Sequence, residues 1–250
     1  MALVGSGEYL DVMIEIDRRL LAGRPARAVL LPTAAAEEGS KRVRYWLDLG
    51  ARHFERLGVE PVALPVLTRE DASRQDYASL VAGAGLVYLS GGNPGYLASV
   101  LRDSVVWSAI TAAWRAGTAL AGCSAGACAL SYVAEDMRAM GARRALRSPR
   151  MIEPTGLATI PEIAVIPHFD RMARWAPHLA GRYASRVPDG VTVIGVDEDT
   201  AIVTEDSPAS VPGERRFAVA GRQSAWVLDR DGGRREHPSG STLTVSVAEG

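Results

Sequence analysis

Thr118-Ala119-Leu120-Ala121-Gly122-Cys123-Ser124-Ala125-Gly126 is the stretch that decides how this chain folds. A short run of small apolar residues reaches a glycine, then a serine between small neighbours, then a second glycine. The run from Thr118 to Gly122 predicts a buried strand, and the small residues after Ser124 predict a helix start. Gly122 to Gly126 fits G-x-S-x-G, a sharp strand-to-helix turn that closes only when its neighbours are small. A serine placed there is exposed at a helix N-terminus, where the amide of Ala125 can face a developing oxyanion. A Gly/Ala-rich turn without chemistry is the plainer reading of five such residues; the strand before and the helix after favour catalysis.

The same strand-then-glycine pattern recurs on both sides of this stretch. Ala2-Leu3-Val4 leads into Gly5-Ser6-Gly7, and Ala28 to Leu31 ends at Pro32-Thr33. Gly85 to Ser90 ends at Gly91-Gly92, Ile163 to Ile166 at Pro167-His168, and Val191 to Val196 at Asp197-Glu198. Near-continuous apolar runs, rather than alternation, belong to strands covered on both faces. Between them Asp11–Leu21, Ser40–Leu57, Ser73–Val81 and Ser104–Ala116 read as helices, the last capped by its serine and stopped by Gly117. The order predicts an α/β fold with a doubly wound, mostly parallel sheet. From about Ala201 onward short strands dominate, at Phe217–Ala220, Ala225–Leu228 and Thr242–Val247, with a turn at Asp231-Gly232-Gly233. Residues 201–250 are expected to be an antiparallel extension of one domain spanning residues 1–250.

In such sheets ligands bind beyond the carboxyl ends of the strands. Ser6, Thr33, Gly92, Ser124, His168 and Glu198 all fall just past predicted strand ends, so one site is expected there. A serine needs an adjacent base. Of the four histidines, His53 and His178 fall in helical stretches and His237 in the tail, leaving His168 as the candidate. Ser90-Gly91-Gly92-Asn93-Pro94-Gly95 is a glycine-rich loop, where the amide of Gly92 or Asn93 is expected as a second oxyanion donor. An acid that orients the base is sought in Asp197-Glu198-Asp199, where Glu198 leads. Asp170, Asp136 and Glu135 are the alternatives, and a solvated acidic bend is the bland one.

Composition excludes several classes. Lys and Arg number 28 against 29 Asp and Glu, so no overall field draws the chain to nucleic acid or an anionic membrane. Apolar residues make up 47%, as in ordinary globular proteins, yet no run reaches the length of a membrane span. Cys123 and Cys128 lack the spacing of a zinc site or a disulfide framework. With no basic start and apolar core of a signal peptide at the N-terminus, a cytoplasmic location is expected. Five arginines between Arg138 and Arg150 form a basic segment without interleaved aromatics, read either as a lid favouring acidic peptides or as a solvated run.

The motifs Ser90-Gly91-Gly92-Asn93, Gly122 to Ala127, Pro167-His168-Phe169 and Gly195-Val196-Asp197-Glu198 resemble, in order, those of the cyanophycinase/aspartyl dipeptidase (peptidase E) family of serine peptidases. The resemblance runs from about Ala2 to Val203. It implies a flavodoxin-like, class I glutamine amidotransferase-like sheet and a Ser–His–acid site with no metal and no cofactor. Ser124 and His168 match the family's serine and histidine, and Asp197-Glu198 matches a segment that supplies the acid in some members. Cyanophycinases carry Asp-Gln before the histidine, whereas Ile166-Pro167 stand here. That departure points away from cyanophycin and toward small peptides cleaved beside Asp or β-Asp, with Arg171 or Arg174 pairing with a substrate carboxylate. Glu8 is a candidate for a substrate amine. Beyond a small peptide, the only partner carried forward is a second copy of the chain in a homodimer. Two other functions compete: a glutamine amidotransferase-like thiol enzyme using Cys123, and a non-catalytic binding protein that keeps the fold.

Overall fold

The computed structural model describes residues 1–135, 151–175, 177–205 and 213–247. Strands β1 (Ala2–Val4), β2 (Arg27–Leu31), β3 (Glu60–Ala63), β4 (Leu86–Leu89) and β5 (Ala119–Cys123) are joined by helices and run parallel in the order β1-β5-β4-β2-β3. Seven further strands follow: β6 (Ile163–Pro167), β7 (Thr192–Val196), β8 (Thr200–Thr204), β9 (Glu214–Gly221), β10 (Ser224–Leu228), β11 (Arg234–Pro238) and β12 (Thr242–Ser246). Strands β8, β9 and β12 extend the main sheet antiparallel beyond β1, giving eight strands among the described residues.

The near-continuous apolar runs are explained by cover on both faces. Along each central strand alternate side chains point to opposite sides. Ala2, Val4, Ala28, Leu30, Leu86 and Tyr88 face one core with Ile16 and Leu20 of helix α1 (Ile14–Leu21) and Phe54 of α2 (Ser40–Arg56). Leu3, Val29, Leu31, Val87, Leu89 and Leu120 face the other, with apolar residues of α3 (Arg69–Ala72), α4 (Gln75–Ser79), α5 (Pro94–Leu101), α6 (Val105–Arg115) and α7 (Ala125–Leu130). Ser104 caps α6 by accepting from the Trp107 amide at 3.0 Å. No helix among the described residues is long and apolar enough to cross a membrane.

The two strands expected to complete the parallel sheet do not join it. β6 and β7 pair with each other in parallel and start a second sheet, β6-β7-β10-β11, closed by antiparallel strands from the tail. The C-terminal extension is therefore divided between both sheets. A strand's apolar run shows that it is covered, not which neighbour it pairs with. The second sheet is not detached: Ile163, Val165, Ile194, Val196 and Ala225 on one face enter the main core. Its other face is covered by the helices Phe169–Trp175 and Pro177–Ala184. The helix expected over Ser73–Val81 is the shorter Gln75–Ser79, and a separate short helix, Arg69–Ala72, precedes it, started by a Thr68/Asp71 capping box that was not read from the sequence.

Gly195 of β7 sits under the ring of Phe169, the residue after His168. A Cβ there would lie 2.4 Å from the ring of this fully buried side chain. Gly195→Ala is expected to cost about 1–3 kcal/mol by overpacking and to lower the thermal midpoint by roughly 5 °C. An unchanged midpoint in a thermal melt would show that Phe169 does not depend on this gap.

Candidate active site

Ser124 caps α7 with φ +50° and ψ −106°, a conformation rare for a residue with a side chain. The turn is fixed from both ends, because the Ser124 amide donates to Val4 O at 2.9 Å and its carbonyl accepts from the Cys128 amide at 3.1 Å. The flanking glycines are required by close approach. A Cβ on Gly122 would fall 2.5 Å from the Gly126 carbonyl carbon, and one on Gly126 would fall 2.3 Å from Leu89 O.

His168 follows β6 with φ +51° and starts the helix Phe169–Trp175, its carbonyl accepting from Met172 N at 3.0 Å. Its Nε2 is 3.1 Å from Ser124 Oγ, and its Nδ1 is 2.7 Å from Glu198 Oε1. Serine, histidine and glutamate thus stand in one line at the carboxyl ends of β5, β6 and β7. Glu198 is held from several directions. Its amide donates to Asp170 Oδ1 at 3.0 Å, its carbonyl accepts from Gln223 Nε2 at 2.9 Å, and its Oε2 lies 2.8 Å from Arg171 Nε.

The acidic turn separates its three carboxylates. Asp197 points inward, accepting from the Trp226 indole at 3.0 Å and the Ser224 amide at 3.2 Å, and burial raises its pKa. Asp199 faces Arg222 at 3.2 Å. Only Glu198 reaches His168.

Around Ser124 the glycine-rich loop commits two of its amides elsewhere. Gly91 N donates to Glu8 Oε1 at 3.0 Å, and Asn93 N to Ala34 O at 2.7 Å. Asn93, expected as an oxyanion donor, is therefore corrected to a structural role: its Oδ1 caps α5 through Tyr96 N, and its Nδ2 donates to Glu37. Gly92 lies between them at φ +144°, where a Cβ would meet Ala34 O at 2.2 Å. No partner takes the Gly92 N–H among the described residues. Ala125 is the first residue of α7, whose opening amides have no intrahelical acceptor. Of the amides expected as oxyanion donors, those of Gly92 and Ala125 have no acceptor among the described residues.

A cleft of about 860 Å³ opens over this line, with Ser6, Glu8, Gly92, Ser124, Glu135 and His168 in its walls. Other expected residues fall elsewhere. Glu135 lines the cleft but does not contact His168, whose Nδ1 is occupied. Asp170 supports the Glu198 amide and does not orient the imidazole. Arg171 directs its Nε at Glu198, and neither it nor exposed Arg174 lines the cleft, so neither is set to take a substrate carboxylate there. Asp136 and the segment Arg138–Arg150 lie outside the described residues. Thr33 is buried beneath the site, not on it. Glu8 does reach the cleft, but both its oxygens are engaged, Oε1 by Gly91 and Oε2 by the Cys123 thiol at 2.8 Å. Among the described residues no three His, Cys, Asp or Glu side chains are grouped to hold a metal ion.

Two contributors were not read from the sequence. Gln223, in the turn between β9 and β10, carries no motif. The Tyr45-Trp46 pair on α2 was legible as part of a helix but not as a wall of the cleft.

Fold and site together define an α/β protein with a hydroxyl–imidazole–carboxylate line at the carboxyl edge of its strands. The chain belongs to peptidase family S51, which it matches over residues 1–211. It is 36% identical over 211 residues to a cyanophycinase of Trichormus variabilis, covering 82% of this chain and 63% of that protein. A cyanophycinase of Geminocystis herdmanii is 27% identical over 209 residues, covering 81% and 72%. This chain thus spans somewhat less than two thirds of the length of the Trichormus protein. Among solved structures, a peptidase from an acI-B1 actinobacterium superposes with a TM-score of 0.81 at 33% identity, covering 97% of this chain and 95% of that one. A Listeria monocytogenes EGD-e protein provisionally named peptidase E shares the fold, with a TM-score of 0.58 at 15% identity, covering 99% and 98%.

Cys123 adjoins the serine, but its thiol is fully buried, donates to Glu8, and is pushed well up in pKa by that burial. A thiolate nucleophile needs the opposite environment. Both cysteines are buried. Titration of the native protein with a thiol reagent at pH 8 is expected to modify neither, and both after guanidinium unfolding. Fast native modification of Cys123 would reopen the thiol-enzyme reading.

Proposed function

We propose that this chain is a serine peptidase that hydrolyses small peptides through an acyl-enzyme on Ser124. The observation that carries this reading is the unbroken line from Ser124 Oγ through His168 to Glu198, with separations of 3.1 and 2.7 Å.

The proton bookkeeping follows from the acceptor at each end. Ionised Glu198 can only accept, so the imidazole keeps its proton on Nδ1 and turns the Nε2 lone pair toward Ser124. Ser124 Oγ attacks the scissile carbonyl while Nε2 takes its proton, and the imidazolium is stabilised by Glu198. The tetrahedral oxyanion is met by the amides of Gly92 and Ala125, the latter at the positive end of α7. His168 then returns the proton to the leaving amine, and a water repeats the sequence in reverse to free the acid product. Arg171 and the Asp170 contact stop Glu198 from rotating away.

Family membership supports peptide-bond chemistry, and a cleft of about 860 Å³ suits a short peptide rather than a folded protein. Cleavage beside Asp or β-Asp loses support from Arg171 and Arg174, because Arg171 is turned to Glu198 and neither lines the cleft.

A fluorophosphonate probe is expected to label the wild-type protein and not Ser124→Ala. Equal labelling of both would refute the assignment. Glu198→Gln is expected to lower kcat by about 10³–10⁴-fold with little change in KM, because the amide can donate to Nδ1 and favour the wrong tautomer. A loss of less than tenfold would mean that another group orients His168.

A further inference from the structure

We infer that the cleft selects peptides carrying an apolar, preferably aromatic, side chain next to the scissile bond, and rejects acidic ones. This deepens the serine-peptidase reading and rests on it.

The first observation is an apolar part of the cleft wall. It is built from Leu10 and from Arg42, Tyr45, Trp46 and Leu49 of α2. Leu10 and Tyr45 are 47% and 46% exposed, and they are two of only four exposed large apolar side chains among the described residues. Apolar surface left open inside a cleft, beside a candidate nucleophile, marks where a ligand buries its own apolar surface. The Arg42 guanidinium lies 5.0 Å from the Trp46 ring centre and 5.1 Å from that of Tyr45, so it stiffens the wall.

Charge is the second, independent observation. Glu8, Glu38 and Glu135 line the cleft, and Arg42 is its one lysine or arginine among the described residues. Arg42 is already paired, its Nε 3.2 Å from Glu38 Oε2. An incoming carboxylate would meet Glu8 and Glu135, with no unpaired lysine or arginine in the lining among the described residues, and like charges brought together in a partly desolvated site repel. A peptide amino group is complementary to Glu135. Among the described residues, shape and charge therefore disfavour an acidic side chain and favour an apolar one on a peptide whose amine is free.

The test is a matrix of unblocked di- and tripeptides, varying each position flanking the scissile bond among Ala, Leu, Phe, Trp, Asp and Glu, with products followed by mass spectrometry. At one of those positions kcat/KM for Phe, Trp or Leu is expected to exceed that for Asp at least tenfold, in the range that one buried apolar group supplies. Trp46→Ala and Tyr45→Ala are each expected to lower kcat/KM for the Phe, Trp and Leu peptides several-fold more than for the Ala peptide, removing most of that preference. Labelling of Ser124 by a small fluorophosphonate in both variants separates loss of the wall from loss of the fold. Asp or Glu preferred at both positions, or variants that lose Ala and Phe peptides equally, overturns the inference and leaves the serine reading intact so long as Ser124 is labelled. No labelling together with no turnover overturns both.

Discussion

Ser124 holds a backbone conformation that costs roughly 1–3 kcal/mol for a residue with a Cβ, at φ +50° and ψ −106°. Much of the surrounding structure is arranged to maintain it. The turn is tied to β1 through Val4 O, and α7 begins on the serine's own carbonyl. Gly122 and Gly126 have no Cβ because backbone atoms occupy the space on both sides. The same constraint serves the proposed chemistry, because a relaxed strand-to-helix turn would bury the hydroxyl or turn it from the cleft. His168, also at positive φ, is aimed in the same way from another strand.

The candidate site is built across two sheets. Serine and oxyanion loop come from the carboxyl ends of β5 and β4 in the main sheet, and histidine and glutamate from β6 and β7 in the second. The turn at residues 197–199 leads from β7 into β8, and so from one sheet to the other. Gly5 packs against its backbone, where a Cβ would lie 2.1 Å from Asp197 O, and its amide donates to Thr200 O at 2.8 Å. Buried Asp197, locked by Trp226 and Ser224, fixes the turn so that the next residue can face the imidazole. Alignment of nucleophile and base thus depends on packing between the sheets as much as on either strand.

Local chemistry at strand ends was the most legible part of the sequence. Ser124, His168 and Glu198 each follow a short apolar run, and the structure brings them within hydrogen-bonding reach of one another. Sheet membership was not legible, because β6 and β7 are as apolar as β2 and β4 whichever partner they take. Nor did the glycine-rich loop reveal which amide stays uncommitted; that depended on Ala34 O, some sixty residues away, accepting from Asn93. Arg171 illustrates the same limit, since an arginine three residues past a histidine reads equally as a substrate clamp or as a brace for Glu198. What the sequence hides are the long-range partners, and those decide which polar groups remain available for a ligand.

The central claim is that Glu198 fixes His168 in the tautomer that leaves Nε2 open to Ser124. Nitrogen-15 NMR of histidine-labelled protein above the histidine pKa tests it directly, with His168 assigned from the spectrum of His168→Gln. The account predicts a neutral ring protonated at Nδ1, with that proton hydrogen-bonded and protected from exchange in the wild type. A neutral ring protonated at Nε2, the form free imidazole side chains favour, would contradict it.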